Sequence, residues 1–229
     1  MELPALLGIR PGVTAVMGSG GKTTLLRTLG EALAAEGRRV LLCATTKLYP
    51  FEGLPNLLDS TEEALAEALE THRLVCAGTP VPGTGKLTAP GIPMARLAAL
   101  ADYVLAEADG SAGRPLKAHA AHEPVIPPEA NQIVILVGAS GFGWPVQEAV
   151  HRPEVFARLT GLGPEAPASP EAVAEVLQRE AAPDWPPVRV FVNQAEDEDT
   201  LEAARRLAAR LSWPVCAGAL KRRMWICLS

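Results

Sequence analysis

None of the four cysteines, Cys43, Cys76, Cys216 and Cys227, stands in a CxxC pair. A zinc ribbon, a redox pair or a disulfide framework is therefore excluded as the organising element, and a reducing cytoplasm is the simplest compartment. There is no basic excess either: 21 Lys and Arg stand against 26 Asp and Glu, a formal net charge of −5. A general nucleic-acid binder is usually basic and a membrane-surface anchor polybasic, so neither nucleic acid nor a membrane is expected as a partner. No apolar run is long. The longest uncharged stretch, residues 133–146, is interrupted by Gly138, Gly141, Gly143 and Pro145 and falls short of the roughly 20 residues that a bilayer span needs. Residues 1–12 lack the charged-then-apolar pattern of a secretory signal, and no internal repeat is visible. What remains is 48% hydrophobic and 21% charged over 229 residues, a composition that buries a core and does not suit a disordered chain. The length fits one domain over residues 1–229 with modest additions.

Hydrophobic periodicity divides the chain into alternating strands and helices. Strands are expected at residues 13–17, 39–44, 74–77, 103–108, 132–137, 188–192 and 215–219, several of them continuous apolar runs of the kind buried on both faces of a parallel sheet. Helices are expected at 22–36, 60–71, 92–101, 146–160, 170–181 and 200–211, with Ser60 opening the second. Residues 79–91 read as a turn-rich insert with hairpin character, 110–128 as a long irregular segment, and 146–181 as a helical region. The alternation predicts an α/β fold, three-layered, with a mostly parallel sheet and helices on both faces.

The most informative stretch is Gly18-Ser19-Gly20-Gly21-Lys22-Thr23-Thr24, set between a strand and a helix. Glycines let backbone N–H groups turn in around a phosphate, and the helix start adds its positive dipole end. Lys22 would reach the β- and γ-phosphates and Thr23 would offer a hydroxyl to Mg²⁺. The loop is the short form GxxGK[ST], because Val16 stands where the longer GxxxxGK[ST] pattern needs glycine. The dinucleotide pattern GxGxxG fails at Thr23. A glycine-rich turn with an incidental Lys-Thr is the plainer alternative. A second Gly-Lys, Gly85-Lys86, lacks the strand-to-helix setting and reads as loop.

Residues 103–110 form an apolar strand that ends in Glu107 and Asp109. Two apart on a strand, they share a face. One would hold Mg²⁺ and the other would polarise a nucleophile, which makes Lys22, Glu107 and Asp109 the candidate catalytic set. Solvent-facing acids at a strand end would look the same. Thr45, Thr46 and Lys47 end the second strand, where ligands bind in open α/β sheets; an ordinary turn fits them as well. Between 110 and 128 lie Ser111, Arg114, Lys117, His119, His122 and Glu123. The HxxH spacing suggests a metal site but lacks a clear third ligand. The favoured reading is a mobile loop that brings Arg114, Lys117 and His122 to an anionic substrate. His151 and Arg152 join that pocket or cap a helix. Asn193-Gln194-Ala195-Glu196-Asp197 is similar to the Asn-Lys-x-Asp base-reading motif of GTPases, with Gln194 in place of Lys and Glu196 at the Asp position. Asn193 is thus a candidate base contact, although GTP over ATP does not follow and a polar turn fits equally.

Six stretches together carry a wider resemblance: Val16-Met-Gly-Ser-Gly-Gly-Lys-Thr-Thr24, Thr45-Thr-Lys47, Glu107-Ala-Asp-Gly-Ser111, Pro115-Leu-Lys-Ala118, His122-Glu-Pro-Val-Ile-Pro127 and His151-Arg-Pro-Glu154. They resemble the selenium-dependent hydroxylase accessory proteins. That resemblance implies a P-loop NTPase-like protein linked to maturation of a selenium-dependent molybdenum hydroxylase or its cofactor, which would be its partner. The short loop and the Glu-Ala-Asp strand end also look, more distantly, like the ATP-binding domain of Mur and folate ligases, which activate a carboxylate as acyl-phosphate. The expected ligands are Mg²⁺ and ATP or GTP. The expected activity is hydrolysis or transfer of the γ-phosphate. A nucleotide-switched chaperone that delivers a cofactor, a Mur-ligase-like carboxylate-activating enzyme and a binder of another phosphorylated cofactor are the alternatives.

Overall fold

Apolar runs become strands and amphipathic runs become helices in the computed structural model, which describes residues 1–229. In chain order the elements are α1 (Leu3–Leu6), β1 (Gly12–Gly18), α2 (Lys22–Ala35), β2 (Val40–Ala44), β3 (Asn56–Leu58), α3 (Glu62–His72), β4 (Leu74–Val81), β5 (Lys86–Thr88), α4 (Met94–Leu100), β6 (Tyr103–Glu107) and β7 (Leu116–Lys117). There follow β8 (Ala130–Gly138), α5 (Val146–Ala149), β9 (Val150–His151), α6 (Pro153–Thr160), α7 (Pro170–Glu180), β10 (Val188–Asn193), α8 (Glu198–Ala208), β11 (Val215–Ala219) and β12 (Met224–Cys227). Ten strands form one mostly parallel sheet flanked by helices, in the order β12-β11-β10-β8-β1-β6-β2-β4-β3, with β5 paired to β4. β7 and β9 pair separately. No helix is long and apolar enough to cross a membrane.

The chain divides into two compact units. The first comprises Met1–Val16, Thr23–Gly110 and Val125–Ile133. Its strands β1, β6 and β2 run parallel with Val16, Glu107 and Ala44 level in register. A run of fully buried residues such as Val40 to Ala44 suits a strand covered on both faces. Leu65 and Leu69, one helical turn apart on α3, pack with Leu97 of α4 against Leu41, Val75 and Val104. Each such leucine contributes roughly 1.5–3 kcal/mol by leaving water. The 79–91 insert is the β4–β5 hairpin, with Thr79 opposite Thr88.

The second unit comprises Met17–Lys22, Ser111–Pro124 and Val134–Ser229. Here β10 and β11 are parallel, and β12 returns antiparallel along β11. Ser169 caps α7 by accepting from Ala172 N, with Pro170 at the first helical position. Asp197 and Thr200 form a capping box on α8.

Several expectations need correction. The helix anticipated over 146–160 is broken: Val150 and His151 leave it to pair with Leu116 and Lys117, and Arg152 sits in the left-handed region at φ +67° before α6 starts at Pro153. The residue before a proline is biased away from helix, so Pro153 carried that signal. The cap of α3 is Thr61, not Ser60, and its hydroxyl accepts from Ala64 N at 3.3 Å. Sequence periodicity also missed α1, β3 and β12, each four residues or fewer.

Candidate functional site

Three glycines with positive φ shape the turn from β1 into α2: Gly18 at +91°, Gly20 at +87° and Gly21 at +122°. Side chains are excluded there by space as well as by conformation. A Cβ on Gly18 would collide with the Leu136 carbonyl, and one on Gly20 with the Gly138 backbone. The turn is then tied down. Ser19 N donates to Leu136 O at 3.0 Å, and Ser19 Oγ to Pro115 O at 2.8 Å. The Lys22 ammonium folds back across the turn to Gly18 O at 2.6 Å and is almost entirely buried. α2 begins at Lys22, and the first N–H groups of a helix have no acceptor within it. A glycine-built turn at a helix start, with a buried ammonium across it, suits phosphate oxygens.

Asn193, singled out in the sequence as a candidate base contact, belongs to this construction. Its Nδ2 donates to Gly20 O at 2.7 Å, and its Oδ1 accepts from Leu220 N at 3.0 Å. The buried carboxamide thus braces the loop from the end of β10. Next to it, Gln194 adopts φ +65° and accepts from Ser140 Oγ at 2.7 Å. Neither this bond nor the two-way use of the Pro115 carbonyl, which also accepts from Gly138 N, had a sequence signal.

In the first unit, Thr23 is exposed at the start of α2, Thr24 is half-buried, and Thr24 O accepts from Thr28 Oγ1 at 2.8 Å. Glu107 ends β6 only 7% exposed, and Asp109 is 0% exposed. The backbone around them is fixed by Thr45 N to Glu107 O at 2.9 Å, Ala108 N to Val16 O at 2.8 Å and Val125 N to Ala108 O at 2.9 Å. Thr45 Oγ1 donates to Val125 O at 2.7 Å, which commits its proton to holding this corner. Thr46 accepts from Thr88 Oγ1 through its carbonyl at 2.7 Å, while its own hydroxyl is buried without a hydrogen bond. Lys47 is exposed. Glu107 and Asp109 offer carboxylate oxygens and Thr23 a hydroxyl, the donor chemistry that a hard cation such as Mg²⁺ takes.

The 111–124 segment differs from its expected form. Lys117, with its side chain 1% exposed, is ion-paired to Glu123 Oε2 at 3.0 Å, and Arg152 reaches the same oxygen at 3.0 Å. Burial alone would raise the Glu123 carboxyl, but the hydrogen bond and charge of Lys117, joined by those of Arg152, outweigh it and leave its pKa below the usual range. The His119 ring lies 2.6 Å from Glu180 Oε2, and His119 N donates to Glu180 Oε1 at 2.6 Å. Arg114 donates to the Glu148 carbonyl, and Ser111 O accepts from Arg114 N at 2.9 Å. His122 is exposed, and His151 stands level with Lys117 in the β7–β9 pair. Lys117, Glu123 and Arg152 therefore form an internal ion cluster in place of a free cationic arm. No group of three His, Cys, Asp or Glu side chains stands together as a metal site, and the His119 ring is paired with Glu180.

Burial pushes the thiols of Cys43 and Cys76 up to about 12, so neither is a nucleophile at neutral pH.

The sequence profile of the YqeC protein family matches residues 14–154, more than half of the chain. That stretch takes in the glycine loop, Glu107 and Asp109, and the Lys117–Glu123–Arg152 cluster; Asn193 lies beyond it. A curated relative, the Escherichia coli (strain K12) protein described as "Uncharacterized protein YqeC", is 39% identical over 165 residues. The match covers 69% of this chain and 64% of the relative, so less than two-thirds of the relative's length is spanned. On both comparisons the chain belongs to the YqeC protein family.

Proposed function

We propose that this chain binds a Mg²⁺·nucleoside triphosphate and hydrolyses or transfers its γ-phosphate. The carrying observation is the three-glycine turn with a buried lysine across it, at a strand-to-helix joint. On binding, Lys22 Nζ would exchange the Gly18 carbonyl for β- and γ-phosphate oxygens, while N–H groups of residues 20–24 take up the remaining phosphate charge. Thr23, Glu107 and Asp109 are the residues that would hold Mg²⁺, which when bound neutralises phosphate charge. The two carboxylates divide their tasks: one ligates, and an oxygen of the other accepts a proton from the attacking water or hydroxyl. The resemblance to selenium-dependent hydroxylase accessory proteins supports a role in maturation of a selenium-dependent molybdenum hydroxylase or its cofactor, and the four free cysteines agree with a cytoplasmic setting.

Substitution Lys22→Ala tests the reading. Mg²⁺-dependent nucleotide affinity should fall by roughly 100-fold or more, the scale on which preorganised charge stabilisers act. Unchanged affinity in a folded Lys22→Ala protein would refute the loop assignment.

A further inference from the structure

At the carboxyl ends of β10 and β11 lies an open, largely apolar slot of about 80 Å³. Ala195, Ala219, Met224 and Trp225 contribute its walls, and Glu196 and Arg222 stand with them. Glu196 Oε2 and Arg222 Nη2 are 2.7 Å apart. We infer that this slot takes the base of the nucleotide held by the glycine loop, and that the base is guanine. The inference rests on the phosphate-binding reading above and adds the identity of the base.

Position supports it first. Asn193 is hydrogen-bonded to Gly20 of the loop, and Ala195 of the slot follows two residues later. Two residues span at most about 7 Å of chain. Slot and loop are therefore neighbours, and a nucleotide with its phosphates on the loop has the slot within reach at the ends of β10 and β11, the side of a parallel sheet where ligands settle. The walls come second. A base gains by burying its flat faces against apolar and aromatic side chains, and Met224 and Trp225 supply such surface. The polar pair comes third. An ionised carboxylate only accepts hydrogen bonds. Guanine presents two adjacent donors, the ring N1–H and the exocyclic amine, which match the two oxygens of Glu196. Adenine presents a bare ring nitrogen at that place, which a carboxylate repels. Arg222 supplies the donor for guanine O6, an acceptor. Its present bond to Glu196 keeps both groups at the same rim.

The test is calorimetric titration of the full chain with Mg·GTP and Mg·ATP, repeated on Glu196→Gln and extended to Mg·xanthosine triphosphate. GTP should bind at least roughly tenfold more tightly than ATP, the scale of a hydrogen bond to a charged group. Glu196→Gln should lose that preference and gain xanthosine triphosphate, because xanthine carries a carbonyl where guanine carries the amine and the new amide donates to it. A gain of binding cannot come from misfolding. Equal affinity for GTP and ATP, preference for ATP, or a Glu196→Gln profile identical to the parent would overturn the base assignment and leave the phosphate loop standing. Absence of any nucleotide binding by the parent would overturn the loop reading itself, and the base assignment with it.

Discussion

The glycine loop and the 111–124 segment lie in the same compact unit but hold their shape by opposite means. The loop is made of backbone: positive φ values, glycines with no room for a Cβ, and main-chain carbonyls that receive Ser19, Lys22 and Asn193. The segment is made of side chains: Lys117 and Arg152 close on Glu123, and His119 on Glu180. A backbone-built site keeps its charge available for a ligand. A side-chain-built one uses its charges on itself. Lys117 and Arg152 are for that reason engaged with Glu123 inside the protein.

The sharpest way to break this contrast is a methyl group in the loop. Gly20→Ala puts a Cβ into the Gly138 backbone and strains a φ of +87°. Nucleotide binding should disappear in calorimetry, and the protein should lose more than about 1 kcal/mol of stability. Normal binding by this variant would mean that the loop's shape is not what the ligand needs.

In the segment the effect should fall on stability instead. Glu123→Gln removes the carboxylate on which both cations converge, and because the cluster is only partly enclosed the loss should be roughly 2–3 kcal/mol in denaturant unfolding. The sign with pH follows from the lowered Glu123 pKa. The stabilisation is present above the unfolded carboxyl value of about 4.3 and is lost as pH falls through the folded value. The gap between parent and Glu123→Gln should therefore close in acid. Nucleotide affinity of the folded variant should stay within a few-fold. A large loss of affinity at full stability would make the cluster a ligand site.

Asn193→Ala lies between the two cases. It removes the acceptor for the buried Leu220 N–H and the donor to Gly20 O. A cost of about 1–3 kcal/mol is expected, with a smaller loss of nucleotide affinity than Gly20→Ala causes. Arg114→Ala should have the least effect, within about 0.5 kcal/mol, because its side chain is exposed. Loss of substrate turnover on Arg114→Ala, with nucleotide binding intact, would restore the idea of a cationic arm.

The same contrast explains what the sequence discloses. The strand, the glycines, Lys22 and the following helix are local, so their pattern is legible within about a dozen residues. The central strands are legible for the same reason: Val40 to Ala44 is a continuous apolar run. The ion cluster is not local. Glu123 meets Arg152 across 29 residues, and His119 meets Glu180 across 61. Composition alone makes such residues look like free arms. Asn193 was legible as a special residue, but its partner, Gly20 O, lies 173 residues away. The break at Val150 and His151 was signalled by Pro153, although only pairing with Leu116 and Lys117 explains why the chain becomes a strand there.

The central claim is that the glycine loop holds a Mg²⁺·nucleoside triphosphate. Its most direct test is calorimetric titration of the unmodified protein with ATP and with GTP, each with and without Mg²⁺. The account predicts saturable micromolar binding of at least one nucleotide that requires Mg²⁺. No heat of binding with either nucleotide, with or without the metal, would contradict it.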